Sequence, residues 1–334
     1  MIVDKGVTLT RPLIMRLSFY CVLEVCIEDP DEPKDPETPH FIPAYSQKVK
    51  ASKEFQTFQF DHSFVLNSLK SSMEGYVFHN QPLDTDDLLE QTVKLFNSCK
   101  TSLELFDMLH NMRAYDDSTY AHSLNVALIC RRIGKWLKVD AATLDTLTLC
   151  GLLHDIGKLK IPDEILNKPG KYTDEEFDLV KRHTKFGYEL LKTLNIDPHI
   201  KKAALLHHER CDGSGYPLKA TQKDLDDFSM VVAIADVYDA MTAARSYRAP
   251  LCPFQVIERF EQEGLQKYKP KFILTFLQHI ASTYQNNRVL LSNGQSANIV
   301  MLNQQHLARP IVQLNDNSCI DLSTRLDLHI QSIL

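Results

Sequence analysis

The chain has 334 residues, of which 44% are apolar and 24% are charged; this composition is typical of a globular protein and excludes disorder throughout. Its formal net charge of -6 gives no broad basic surface, so we exclude a binder of duplex nucleic acid. The eight cysteines form no CxxC pair, which favours reduced thiols in a cytoplasmic protein.

The amino-terminal part of the chain predicts a small α/β module over residues 1–82. Its longest apolar stretch, residues 13–26, is interrupted by Arg16 and Glu24 and is shorter than the roughly 20 residues that a membrane span needs. We therefore expect neither a membrane anchor nor a secretion signal. Residues 29–43 concentrate proline and acidic residues and predict an exposed loop. A sensor or partner-binding role for this module, and a role in packing or homodimer formation, both stay open.

From Leu83 onward the pattern changes to that of helices. Thr85 is a residue type that caps helices, and apolar residues then recur at helical spacing, beginning with Leu88. Similar patterns follow and predict an all-helical main domain over residues 83–287. After it, short apolar segments separated by turn residues predict a small β appendage over residues 288–334. The expected fold class is therefore mainly α.

The main domain is rich in side chains that bind metal ions. Each histidine alone is more often a hydrogen-bonded core or surface residue, but so many candidates in one domain favour a metal site. Nitrogen and oxygen ligands without thiolates favour Fe, Mn, Co, Ni or Zn over a structural zinc held by sulfur. The candidates are His122, His154, Asp155, His183, His207, His208 and Asp236.

His154 and Asp155 are adjacent at the end of an apolar helical pattern. Neighbouring side chains on a helix diverge by about 100°, so the two groups suit a pair of ions with a bridging carboxylate better than one ion. Two cations lower the pKa of a bridging water, supply hydroxide at neutral pH and neutralise charge on a phosphoryl group. This predicts hydrolysis of a phosphodiester. If the helix continues, Lys158 lies on the same face as His154 and contacts a phosphate oxygen.

Several short segments of the main domain follow one another in a specific order. They are Tyr120-Ala-His122-Ser, His154-Asp155-Ile-Gly-Lys158, Arg182-His183-Thr, His207-His208-Glu209, Gly213-Ser-Gly-Tyr-Pro217 and Asp236-Val-Tyr-Asp-Ala-Met-Thr. An adjacent His-Asp pair alone is a weak signal that many phosphohydrolases share. Together, over about Tyr115 to Tyr268, the segments resemble the HD-GYP phosphodiesterases of the HD-domain superfamily.

The resemblance implies an all-helical domain in which the seven candidates ligate two divalent metal ions, most simply Fe or Mn, with Asp155 in the bridging and catalytic position. It implies cyclic di-GMP as the substrate. The residues placed where family members contact the dinucleotide are Asp116, Lys158, Arg245 and Arg248. The chain departs from the pattern at Ser118, where some relatives have a glutamate that holds a third metal ion, so we expect a binuclear site.

We therefore predict a metal-dependent phosphodiesterase that hydrolyses cyclic di-GMP to linear pGpG. Further cleavage to GMP stays open, as does a hybrid cyclic GMP-AMP as the substrate. A second class of function is a non-catalytic receptor or scaffold that binds the dinucleotide or a diguanylate cyclase, and the complete set of metal-binding candidates argues against it. A general nucleotide phosphohydrolase is disfavoured by the segment Gly213 to Pro217, which we expect to shape a turn beside His207 and His208 rather than take part in chemistry.

Overall fold

The computed structural model describes residues 45–112, 118–168, 170–243, 251–263 and 265–334. These residues form a helical domain followed by a small antiparallel sheet, which confirms the predicted mainly α fold class. The part of the predicted amino-terminal module before residue 45 lies outside the described residues. Among the described helices, none combines the length and the apolar character that crossing a membrane requires.

The helical domain is built from α-helices and two short 3-10 helices. The helices up to residue 153 are α1 (Tyr45–Ala51), α2 (Lys53–His79), α3 (Thr85–Ser98), α4 (Ser102–Met112), α5 (Thr119–Trp136) and α6 (Ala141–Leu153). They are followed by η1 (Ile156–Lys160), α7 (Asp163–Leu166), α8 (Asp174–Lys181), α9 (His183–Leu191), α10 (Pro198–Leu206) and α11 (Asp227–Thr242). The last are α12 (Pro253–Glu263), η2 (Leu265–Lys267) and α13 (Pro270–Thr283).

Helix α2 is 27 residues long and packs along the helical domain. The Ser52 hydroxyl caps it by accepting the Phe55 backbone N–H at 3.1 Å, and Asn80 ends it in the left-handed conformation with a φ of 54°. One face of α2 buries Phe55 and Leu69 in the same core as α5 and α6. The division of the chain at residues 82 and 287 stays a prediction.

Helix α3 begins one residue before the predicted start, because its cap differs from the prediction. The carboxylate of Asp84, not the hydroxyl of Thr85, accepts the backbone N–H groups of Asp86 and Asp87, at 3.2 and 3.0 Å. Thr85 is instead the first helical residue. The correction has a simple cause, because both residue types cap helices and the sequence does not fix which one has the extended backbone that a cap requires.

The centre of the core is formed by α5, α6 and α11, which are buried on almost every side. Gly151 allows α6 to cross α5 closely, since a Cβ at this position would lie 2.7 Å from the Cα of Ala127. Several functional candidates lie on these buried helices or directly after them. The core therefore holds them in fixed positions.

The carboxy-terminal strands form one five-stranded antiparallel sheet with the order β4-β3-β2-β1-β5. The strands are β1 (Arg288–Leu291), β2 (Ser296–Met301), β3 (Ile311–Leu314), β4 (Cys319–Asp321) and β5 (Ile330–Ile333). Alternate residues of β1 and β2, such as Val289 and Ile299, are fully buried. Arg309, in the connection between β2 and β3, pairs with Glu258 of α12 at 2.7 Å. The predicted carboxy-terminal β structure is confirmed, and its standing as a separate appendage stays a prediction.

Candidate metal centre

The seven candidate metal-binding side chains come from separate elements and meet in one cluster. His122 lies in α5, His154 and Asp155 directly follow α6, His183 begins α9, His207 and His208 directly follow α10, and Asp236 lies in α11. Most of these residues lie at the ends of helices that meet at the core, so their side chains can reach a common point. The structure thus brings together every residue that the sequence predicts as a metal ligand.

The carboxylate of Asp155 lies at the centre of the cluster and is 1% exposed. Its Oδ1 faces the Nε2 atoms of His183 and His207, at 3.3 and 3.7 Å. Its Oδ2 faces the Nε2 atoms of His154 and His122, at 3.3 and 3.6 Å. One carboxylate therefore has imidazole nitrogens at both of its oxygens, which is the arrangement of a bridging ligand between two cations.

A second carboxylate connects the two sides of the cluster. Asp236 Oδ1 lies 3.0 Å from His122 Nε2, and its Oδ2 lies 3.7 Å from His208 Nδ1. The candidate ligand atoms fall into two groups that share Asp155, one with His183, His207 and His208 and the other with His122 and His154.

Backbone carbonyls orient three of the histidines. The Nδ1 atoms of His154, His183 and His207 lie 2.7, 2.6 and 2.9 Å from the carbonyl oxygens of Gly151, Val180 and Ala203. A carbonyl only accepts, so each Nδ1 donates its proton and each Nε2 presents a lone pair to the cluster. This is how proteins orient histidines that bind metal ions.

The lone pairs in the cluster fit a metal ion. The Nε2 atoms of His183 and His207 are 3.2 Å apart, and since both rings carry the proton on Nδ1, two lone pairs face each other. His154 Nε2 and Asp155 Oδ1 are buried without a hydrogen-bond partner. Buried acceptors that are left unpaired cost stability, and a cation between them removes this cost.

The electrostatics of the cluster favour neutral imidazoles and charged carboxylates on its inner side. Burial lowers the pKa of His183 to about 4 and the pKa of His208 to about 3. Burial raises the pKa of Asp155, but Lys158 and His154 outweigh burial and hold this pKa well below its ordinary value. At neutral pH His183, His208 and Asp155 therefore have the protonation states that metal binding requires.

Asp239 is a functional candidate that the sequence analysis missed. Its Oδ2 accepts a hydrogen bond from His122 Nδ1 at 2.8 Å, and the residue is 2% exposed. Burial lowers the pKa of His122, but the hydrogen bonds to Asp236 and Asp239 outweigh burial and raise the pKa to about 9. The sequence did contain a signal, because Asp239 is three residues after Asp236 and residues at this spacing lie on the same face of a helix.

Lys158 is not placed as the sequence predicts. Helix α6 ends at Leu153 and the chain continues as η1, so Lys158 does not lie one helical turn after His154 on a common face. Its ammonium instead lies 2.5 Å from Asp155 Oδ2, and the side chain is 24% exposed. Lys158 therefore reaches the cluster through the carboxylate, from the side that is open to solvent.

The segment from Gly213 to Pro217 packs directly on the cluster. A Cβ at Gly215 would lie 2.4 Å from Glu209 Cα and 2.5 Å from the His208 carbonyl oxygen, so only glycine fits. The buried Glu209 carboxylate accepts the backbone N–H groups of Leu218 and Ala220, at 2.6 and 3.0 Å. This loop covers and fixes the chain that carries His208.

The remaining predicted residues have different outcomes. Ser118 caps α5, because its hydroxyl accepts the Ala121 backbone N–H at 3.2 Å. Asp116, Arg245 and Arg248, predicted to contact the substrate, lie outside the described residues, and their roles stay predictions.

Comparison with known proteins identifies the family. The sequence model described as HD domain matches residues 87–272, which is more than half of the chain. The chain belongs to the HD domain family. The predicted HD-GYP membership is confirmed by this match together with relatives named cyclic di-GMP phosphodiesterases.

Three curated relatives indicate how far the similarity of this HD domain protein extends. It is 33% identical to a cyclic di-GMP phosphodiesterase of Pseudomonas aeruginosa, over 62% of this chain and 50% of the relative. It is 35% identical to a cyclic di-GMP phosphodiesterase of Thermotoga maritima, over 52% and 48%. It is 34% identical to 3'3'-cGAMP-specific phosphodiesterase 2 of Vibrio cholerae, over 54% and 35%. The chain thus spans half or less of the length of these relatives.

A solved structure supports the HD fold independently. The HDGYP protein of Bdellovibrio bacteriovorus superposes with a TM-score of 0.55 and 19% identity, and the match covers 70% of this chain and 74% of that chain. At this identity the likeness concerns the fold alone.

A cleft of about 1330 Å³ in the HD domain opens over the cluster. His183, His208 and Lys158 line its inner end together with Tyr216. The Tyr216 ring packs against the His208 imidazole with 4.7 Å between the ring centroids. The cleft gives a large ligand direct access to the candidate metal centre.

Proposed function

We propose that this HD domain protein is a metal-dependent phosphodiesterase that hydrolyses cyclic di-GMP to linear pGpG. The observation that carries the proposal is the Asp155 carboxylate, which has imidazole nitrogens at both oxygens and lies below an open cleft. The cleft volume of about 1330 Å³ exceeds that of ordinary small-molecule pockets, roughly 300 to 1,000 Å³, and suits a dinucleotide. The relatives named cyclic di-GMP phosphodiesterases support the choice of substrate.

The proposed cofactor is a pair of divalent metal ions, Fe or Mn, with Asp155 as the bridging ligand. The proposed set of ligands is His122, His154, Asp155, His183, His207, His208 and Asp236. Ions held there would supply a nucleophile at neutral pH and neutralise charge on the phosphate. Ser118 stands where some relatives have a glutamate that holds a third metal ion, and its hydroxyl caps α5. This supports two ions rather than three. It also supports pGpG rather than GMP as the product.

The chain's own residues orient the phosphodiester. The Lys158 ammonium lies beside Asp155 and lines the cleft, so it can donate to a non-bridging phosphate oxygen there. Asp239 holds the His122 ring in one orientation. Tyr216 and the loop that carries it exclude water from one side of His208.

A hybrid cyclic GMP-AMP is the second candidate substrate. Two relatives from Vibrio cholerae, 34% and 32% identical, are named 3'3'-cGAMP-specific phosphodiesterases 2 and 1. Both candidates have the same 3'-5' phosphodiester, so the metal cluster serves either one. The base-binding part of the cleft decides between them.

The cytoplasmic location, the binding of a diguanylate cyclase and the homodimer stay predictions, since no described residue bears on them.

The proposal is tested by loading the purified chain anaerobically with Fe(II) or Mn(II) and separating the products of cyclic di-GMP chromatographically. We expect metal-dependent pGpG, and no product from Asp155→Ala. Asp178→Ala is the matched control, because this exposed carboxylate pairs only with Lys181 among the described residues. Intact substrate with every metal overturns the proposal, as does undiminished turnover by Asp155→Ala.

A further inference from the structure

The cleft has a wall that lies outside the part of the chain matched to the HD domain. Glu74 and Phe78 of α2 both line it, while the family match begins at residue 87. They are four residues apart and therefore lie on one face of the helix, one turn from each other. The same cleft reaches His183 and His208 of the candidate metal centre. A ligand that fills the cleft thus contacts both the cluster and α2.

Tyr120 fixes the carboxylate of Glu74. The Tyr120 hydroxyl donates to Glu74 Oε1 at 2.9 Å, and Tyr120 lies on α5 two residues before His122. Within the described part of the chain, this is the only hydrogen bond of the Glu74 side chain. A carboxylate has about four lone-pair sites, so Glu74 keeps acceptor sites for a ligand in the cleft.

The Glu74 carboxylate repels a phosphate. Asp163 lines the same cleft, which therefore contains the two carboxylates of Glu74 and Asp163. Lys158, Lys168 and Lys171 also line the cleft and suit the phosphates. The Glu74 carboxylate suits a group that offers hydrogen-bond donors.

Guanine offers two adjacent donors of this kind, whereas adenine offers only its exocyclic amino group. The Watson–Crick edge of guanine has N1–H and the exocyclic amino group side by side, whereas adenine has an acceptor at N1. A carboxylate only accepts, so it can pair with both donors of guanine but opposes the N1 lone pair of adenine. Glu74 therefore has the chemistry of a guanine-reading group.

Phe78 supplies a surface for stacking. Its side chain is 55% exposed although it is a large apolar residue in the wall of a cleft. The Lys160 ammonium lies over one face of the ring, 5.5 Å from its centroid. Nucleobases stack on exposed aromatic side chains of this kind.

We propose that Glu74 and Phe78 form a guanine-binding subsite, in which Phe78 stacks on the base and Glu74, oriented by Tyr120, accepts its N1–H and amino group. The inference rests on the proposed function, because it assigns one base of the cyclic dinucleotide to α2. It makes Glu74 the residue that selects guanine over adenine.

The test compares cyclic di-GMP with cyclic di-AMP in the metal-loaded full chain. Wild type, Glu74→Gln and Phe78→Leu are assayed for kcat/KM and, by equilibrium dialysis, for binding. Bis(p-nitrophenyl) phosphate, a phosphodiester without a base, reports on the metal centre alone. Glu54→Gln and Phe64→Leu are the matched controls, because both are exposed residues of the same helix that do not line the cleft.

We expect Glu74→Gln to lower the preference for guanine by about 10-fold or more, which is the worth of a good bidentate base contact, and to leave metal content and the base-free diester unchanged. Phe78→Leu should weaken binding of both dinucleotides by about 10-fold. An unchanged preference for guanine in Glu74→Gln overturns the inference. So does a loss of activity on the base-free diester that equals the loss on cyclic di-GMP, or a loss of bound metal.

The outcomes also separate the inference from the proposed function. Wild type that binds cyclic di-GMP with a preference that depends on Glu74, but cleaves neither dinucleotide, supports the inference and contradicts the proposed activity. Metal-dependent cleavage with no preference for guanine supports a phosphodiesterase and overturns the subsite. Wild type that binds neither dinucleotide overturns both.

Discussion

The hydrogen bond between Asp239 and His122 makes a prediction that distinguishes the two sides of the metal centre. Asp239→Asn keeps the size of the side chain and removes its charge from a buried position 2.8 Å from His122 Nδ1. His122 faces Asp155 Oδ2, whereas His183 and His207 face Oδ1. We therefore expect the substitution to weaken binding of the ion on the Oδ2 side and to leave binding of the ion on the Oδ1 side unchanged.

The magnitude follows from the role of such partners. Removing a carboxylate that orients a metal-binding histidine typically costs about 10- to 100-fold in affinity, which corresponds to roughly 1.4 to 2.7 kcal/mol. The pKa of His122 is raised to about 9, so at neutral pH a proton competes with the metal for this ring. Asp239→Asn lowers this pKa and relieves the competition. The loss of affinity should therefore be larger at alkaline pH than at neutral pH.

The assay is competition between the protein and a chromophoric chelator for the metal, at both pH values, with the metal content of each variant measured separately. Asp145→Asn is the control, because this carboxylate pairs with Arg131 and is 42% exposed. Wild-type affinity of Asp239→Asn at alkaline pH would refute the reasoning. An equal loss of affinity for both ions would refute the claim that Asp239 acts on the Oδ2 side alone.

The remaining predictions concern the loop, the lysine and the effect of pH. Gly215→Ala should lower the melting temperature and the metal content, because its Cβ would lie 2.5 Å from the His208 carbonyl oxygen and force the chain to shift; an unchanged melting temperature contradicts this. Lys158→Met should retain the metal yet lower kcat, and unchanged kinetics would return Lys158 to the role of a surface partner of Asp155. Burial lowers the pKa values of His183 and His208 to about 4 and 3, so below pH 6.5, near which unfolded histidines titrate, the unfolded chain binds more protons. The metal-free protein should therefore lose stability as the pH falls from about 6.5 towards 4, and a constant free energy of unfolding in this window contradicts the burial of neutral imidazoles.

The convergence of the metal candidates could be predicted because the sequence contains them in an ordered set of motifs. The neighbouring pair His154 and Asp155 already indicates a bridging carboxylate, and the apolar pattern of α6 before it indicates a buried helix. The structure adds how the pair is held. The chain leaves the helix at Leu153, so the Asp155 carboxylate can turn into the cluster.

Other features depend on contacts between residues far apart in the chain. Lys158 pairs with Asp155 because the chain tightens into a 3-10 turn, which periodicity alone does not reveal. Glu74 reaches the cleft because α2 packs along the helical domain, and nothing in its local pattern identifies that neighbour. Asp239 is different, because its spacing of three residues from Asp236 was sufficient to predict that it lies near the cluster.

The central claim is that Asp155 bridges two metal ions beneath the cleft. The most direct measurement is a crystal structure of the anaerobically Mn(II)-loaded protein with anomalous scattering recorded at the manganese edge. The account predicts two anomalous peaks about 3.5 to 4 Å apart, one at each Asp155 oxygen, with His183 and His207 on one side and His122 and His154 on the other. A single peak, or peaks that Asp155 does not touch, would contradict it.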